Sequence, residues 1–231
     1  MSTATTTTFD EAALEALPDA PGFVQTIRKQ AFEEFRALPI PSQETEEWRY
    51  TDLSELDLSF APWTAGGRTE NLDEVPAEVM DAVGVVGDRA GLQIQRNSEV
   101  VTSHLDPALA SQGVLLMDLD DAAREHPDVV APHLHSLVPS SRTKFTAMHA
   151  AFRTGGTFLY VPPAVTVELP LQTLTYLDAE GAAVFPHTLI VVGQDAEVTF
   201  IDRYASPGSG ATDAPSPATN VPGVIAAARW P

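Results

Sequence analysis

Between Thr157 and Ile201 the chain is a series of short β-branched and aromatic runs closed by proline or glycine. Thr157–Val161, Val165–Val167, Leu171–Leu177, Thr188–Val192 and Glu197–Ile201 read as strands, and Pro162-Pro163, Gly181, Pro186 and Gly193 punctuate them. Serial short strands of this kind admit a sandwich, a jelly roll or a parallel β-solenoid, and periodicity alone does not choose among them. A solenoid also needs several stacked coils before its core closes, and few runs are available here.

The preceding sequence has a different period. Phe23, Ile27, Ala31, Phe35 and Leu38 recur at three- and four-residue spacing, which predicts an amphipathic helix stopped by Pro39 and Pro41. Leu14 and Leu17 mark an earlier helical stretch from Phe9, broken by Pro18 to Gly22. Residues 61–67 read as loop, Val83–Val86, Gly91–Gln95 and Gly113–Met117 as short strands, and Leu119–Glu125, Pro127–Leu137 and Ser141–Phe152 as short helices. From Ser206 the composition collapses into Pro, Gly, Ala, Ser and Thr without apolar period, which predicts a disordered tail. The expected division is 1–65 helical, 66–140 mixed α/β, 141–205 β-rich core and 206–231 tail.

Charge and cysteine content exclude several kinds of chemistry. With 13 basic against 32 acidic side chains the 231 residues carry a formal charge of −19, which disfavours nucleic acid and anionic membranes as partners. There is no cysteine, so no disulfide, thiolate metal site, cysteine nucleophile or cluster ligated by this chain's own sulfur can form. The start, Met1-Ser2-Thr3-Ala4-Thr5, lacks the basic and apolar regions of a secretory signal. No apolar run approaches the ~18 residues that span a bilayer, so the expected compartment is the cytoplasm.

The candidate chemical motifs are weak. His133 and His135 would share a face in a strand and could reach one metal ion, but the segment reads as helix and no third ligand is spaced to join them. His149 reads as a half-buried packing residue, and His187 as either a ligand or a strand-end surface group. Asp118, Asp120 and Asp121 lack the glycine and distal glutamate of a calcium loop and read as a solvated helix start. No phosphate loop or nucleophile elbow occurs, so catalysis has no motif behind it. The most distinctive segment is Glu46 to Leu53, where Trp48, Arg49 and Tyr50 read as a structural anchor or a docking surface for a partner.

Glu47-Trp48-Arg49-Tyr50-Thr51-Asp52-Leu53 resembles the E-x-W-[KR]-Y-T-x-L signature of the SufB/SufD family of iron–sulfur cluster assembly proteins, on its SufD side. Lys144 to Phe152, Gly156 to Pro162, Val165 to Leu171, Pro186 to Val192 and Ala196 to Asp202 are similar to successive family segments in the same order. The resemblance implies an α+β chain with an N-terminal helical region followed by the first coils of a right-handed parallel β-helix. It implies a non-catalytic scaffold subunit that works with SufB and with the ATPase SufC, binding no cofactor itself while the complex handles the cluster. Similarity stops near Ser206, so a C-terminally truncated chain with a non-native tail is expected, lacking the family's SufC-docking helices and its cluster-assembly histidine. The alternative, a carbohydrate-active β-solenoid or cupin-like enzyme, needs carboxylates converging on one groove, whereas Glu168, Glu197 and Asp202 are few and scattered.

Overall fold

Asp10 caps the first helix with its side chain, accepting from the Ala13 amide at 2.9 Å, and Pro18 and Pro21 separate that helix from a longer second one. In the computed structural model residues 9–53, 61–62, 75–83, 88–179, 182–206 and 224–229 are described. The helices are α1 Glu11–Glu15, α2 Gly22–Ala37, α3 Ala77–Val83, α4 Pro107–Ser111, α5 Leu119–Glu125, α6 Pro127–Val130 and α7 Lys144–Phe152. The strands are β1 Ala61–Pro62, β2 Gly91–Arg96, β3 Glu99–Leu105, β4 Leu115–Asp118 and β5 Thr157–Val161. They continue with β6 Leu171–Tyr176, β7 Ala182–Ala183, β8 His187–Val192, β9 Phe200–Ala205 and β10 Val224–Arg229.

Helix α2 buries Val24, Arg28, Ala31, Phe32 and Phe35; of the expected stripe Ala31 and Phe35 are buried, while Phe23, Ile27 and Leu38 lie at its half-buried margin. It lies against α7, whose start is fixed by a capping box between Thr143 and Thr146. Phe9, Phe32, Phe35, Phe152 and Phe185 form one aromatic cluster, with Phe152 edge-on to Phe9 at 5.0 Å between centroids. Lys144 donates to the Phe35 and Leu38 carbonyls at 2.6 and 2.9 Å and so closes the C-terminal end of α2.

Two four-stranded sheets follow, in the orders β10-β8-β5-β4 and β3-β2-β6-β9. Both are mixed. β4 pairs antiparallel with β5 and β3 antiparallel with β2, while β5–β8, β8–β10, β2–β6 and β6–β9 are parallel. Period-two alternation sorts the side chains: Leu116, Leu159, Val161 and Leu171 share the layer between the sheets. Phe158, Leu189 and Val191 face outward under α2 and α5, and Leu92, Ile94, Leu174 and Tyr176 pack on α3.

The parallel β-helix expected from the resemblance is therefore corrected: the α+β class describes the chain, but its sheets are mixed and no closed coil is present among the described residues. The reason lies in the middle of the chain. β2, β3 and β4 join the same two sheets as the later strands, so each sheet carries an antiparallel pair at its margin. The β2–β3 hairpin was not foreseen beyond Gln95; it turns through Asn97 at φ 57°, a conformation asparagine tolerates, with Asn97 Oδ1 accepting from the Asp178 and Ala179 amides. Val165–Val167 makes a single bridge, Thr166 to Glu197, rather than a strand, and the helix expected to Leu137 ends at Val130. The strand expected over Glu197–Ile201 starts at Phe200 instead, as β9. Of the stretch expected to be a disordered tail, Val224–Arg229 forms a strand parallel to β8; residues 207–223 and 230–231 lie outside the described residues. So do 84–87 of the expected strand Val83–Val86, whose first residue ends α3, and 63–67 of the expected loop, whose first two residues form β1 against β7.

Candidate functional site

Two places hold side chains that packing alone does not demand. The first is the segment after α2. Glu46–Trp48 makes one 3-10 turn, and Arg49 pairs with Glu46 across it at 3.0 Å. Trp48 is half-buried, its ring 5.4 Å from that of Phe145 at the start of α7. Glu47 pairs with Arg142 at 3.0 Å, a second tie to the residues leading into α7. Tyr50 is 91% exposed, so the three candidate residues divide: Trp48 faces the protein, Arg49 braces its own turn, and Tyr50 faces solvent.

The second place is a buried charged and imidazole cluster beneath α2, α5, α7 and β8. Arg153, the residue that ends α7, is 2% exposed and pairs with Asp120 at 2.9 Å. Asp120 also accepts from the Gly155 amide at 2.7 Å. Burial pushes the Asp120 carboxyl up, but the Arg153 charge, the Gly155 amide and Arg28 outweigh it and hold its pKa below the usual range. Arg28 reaches across from α2 to donate to the Pro18 and Arg153 carbonyls, and burial, with repulsion from Arg153, lowers its pKa to about 10. Gly155 and Gly156 take φ of 63° and 124°, and a Cβ at Gly155 would overlap the Ser98 carbonyl, so the chain leaves α7 through a turn that only glycine fits.

Beside this ion pair lie His135, His149 and His187. His149 Nε2 and His187 Nδ1 are 3.0 Å apart, one donating and the other accepting. The His135 ring stands 4.9 Å from His187 and 6.0 Å from His149, edge to face. Burial lowers all three pKa values, Arg153 adding to the effect, and that of His135 falls to about 3. Among the described residues no group of three or more histidine, aspartate or glutamate side chains is arranged to hold a metal ion. The rings stack on one another as neutral groups.

The model of the SufBD protein N-terminal region matches residues 6–173, well over half of the chain. The chain belongs to the SufBD family. Among curated relatives of this SufBD chain, the iron–sulfur cluster assembly protein SufD of Bacillus subtilis (strain 168) is 30% identical over 190 residues, 80% of this chain and 42% of the relative. SufB of the same organism is 29% identical over 204 residues, 84% of this chain and 43% of the relative. A SufBD family protein of Staphylococcus saprophyticus is 28% identical over 201 residues, 83% of this chain and 42% of the relative. The chain thus spans less than half the length of the curated relatives it matches, and it lies equally close to the SufD and SufB types.

Within the SufBD chain, Trp48 to Tyr50, Asp120, His135, His149 and Arg153 fall inside the matched region, and His187 lies beyond it. Of the histidine pair singled out by spacing, only His135 joins the cluster; the irregular backbone after Val130 separates it from His133. His149 is fully buried rather than half-buried, and His187 begins β8 but is buried rather than a surface group. Asp118 caps α5 through bonds to the Asp120 and Asp121 amides, yet Asp118 and Asp120 are buried, not solvated. One signal for the ion pair was available in the sequence: Arg28 sits four residues after Val24 on an otherwise apolar stripe.

Proposed function

We propose that this chain is architectural: a non-catalytic scaffold part of a SufB/SufD-type iron–sulfur cluster assembly complex, working in the cytoplasm with SufB and SufC. The family match over residues 6–173 carries this reading. Three features of the chain support the division of labour. It has no cysteine, so sulfur chemistry falls to a partner. Its buried Arg153 and Asp120 are paired with each other, and His149 with His187. No helix of the described residues is long and apolar enough to cross a membrane. The finer assignment is SufD-like. The enzyme alternative loses support because Asp202, one of its three strand carboxylates, is already tied to Thr173 at 2.7 Å.

Trp48, Arg49 and Tyr50 form the docking element. Trp48 and the Glu47–Arg142 pair hold the turn rigid, so Tyr50 presents a large aromatic surface with little ordering left to lose on binding. The test is a pull-down with the tagged 231-residue chain against SufB and SufC. SufB is retained and SufC is not, because the docking helices for SufC belong to the part of the relatives that this chain does not span. Tyr50→Ala weakens SufB retention about tenfold while its thermal melt stays unchanged, as expected of an exposed hot-spot aromatic. Failure to retain SufB, or stoichiometric retention of SufC, overturns the reading.

A further inference from the structure

Three histidines from three separated stretches occupy one enclosed space, where apolar rings would pack without any hydrogen-bonding demand. His149 and His187 are 2% and 1% exposed, and His187 Nε2 is buried without a hydrogen-bond partner. His135 differs from both. It is half-buried, it sits in the turns between α6 and α7 rather than on a regular element, and its backbone is held at φ 58°. The stretch that carries it is loosely fastened. Its backbone amides at Ala131, His133, Leu134 and Ser136 bond to residues 127, 130, 130 and 133 of its own turns. Ala131, Pro132, Ser136 and Leu137 are exposed; Leu134 is buried, and His133, His135 and Val138 are half-buried.

We propose that His135 is a proton-operated latch, clamping the 131–139 stretch over His149 and His187 while its ring is neutral and releasing that stretch when it takes up a proton. The groups facing it from each packed element favour this sense. α7 contributes His149 and, at its end, Arg153; β8 contributes His187; α5 supplies Asp120, already engaged by Arg153; and α2 supplies Arg28 against the Arg153 carbonyl. Burial disfavours a charge on the His135 ring and Arg153 repels it, so a proton on His135 is opposed in the closed position and solvated outside. Burial, with Arg153, holds the closed ring's pKa down to about 3, and the released ring returns to ~6.5. The opening constant therefore rises about tenfold between pH 7.5 and 5.5. What opens is not the fold but one stretch, and it leads directly into Arg142, which ties down the Trp48 turn.

Hydrogen exchange of the whole chain, normalised to intrinsic rates, tests this at the two pH values. Protection of residues 133–136 falls about tenfold at pH 5.5 through His135, whereas any fall in β2 and β6 follows global unfolding and persists, through His149 and His187, when His135 is replaced. His135→Asn keeps a side chain suited to positive φ and loses the tenfold step. Leu134→Ala raises exchange at both pH values and keeps the step. Equal protection of 133–136 at the two pH values, or a step retained in His135→Asn, each overturns the proposal.

Discussion

Arg153 carries its charge in an almost solvent-free position, so its surroundings decide its cost. Asp120 neutralises it, the Gly155 carbonyl accepts from it, and Arg28 approaches the carbonyl of the same residue. Breaking a buried pair by removing one partner costs more than the pair contributes, because the remaining charge keeps its desolvation penalty. Asp120→Asn is therefore expected to destabilise by about 3–5 kcal/mol, read from the urea unfolding midpoint. Adding Arg153→Met to that variant recovers more than half of the loss; a double variant as unstable as the single one shows that Asp120 works through the Gly155 amide rather than through Arg153. Apart from the place of Arg28 on α2, none of this was legible locally. His135, His149 and His187, like Asp120 and Arg153, are brought together by tertiary structure, and no spacing rule connects them. A motif needs its members on one element, and these come from a turn, a helix and a strand.

Among the elements, α7 is the one on which the others meet. It is 9 residues long, too short to be stable alone, and it is buried from Ala147 to Phe152. Phe152 touches the rings of Phe9, Phe32 and Phe35, so Phe152→Ala removes the centre of that cluster and is expected to cost about 3–5 kcal/mol by chemical denaturation. A loss below 1 kcal/mol shows that the cluster collapses around the gap. The helices α2 and α5 and the strands β5, β6 and β8 follow the sequence pattern closely, because each has a clear apolar period or a tight β-branched run between breakers. Strand partners were not legible. The runs after Thr157 suggest neighbours for one another, whereas β2 and β4 from the preceding region take an edge of β6 and of β5. Local pattern states that a segment is a strand; the identity and direction of its partner depend on chain that lies some 40 to 80 residues away.

For the molecule as a whole, acid is the condition to which this core is most exposed. Each of the three buried histidines has its pKa lowered in the folded state, burial first and neighbouring charge second. A base with a lowered folded pKa is matched by an unfolded chain that binds more protons below ~6.5, so stability is lost as pH falls through that value and goes on falling towards the folded pKa. From pH 7.5 to 5.5 all three shifts act in this direction, so stability falls across the range. Urea midpoints across this range measure it, and a flat profile between pH 7.5 and 5.5 refutes neutral burial of the trio. The same molecule gathers its aromatic core from distant parts of the described fold, since Phe9 packs at 5.9 Å on Phe185. On a ribosome that contact cannot exist until nearly the whole of this stretch has been translated. The second helix must likewise wait, apolar side out, for α7, which arrives more than 100 residues later, so the nascent chain carries exposed apolar surface through much of its synthesis.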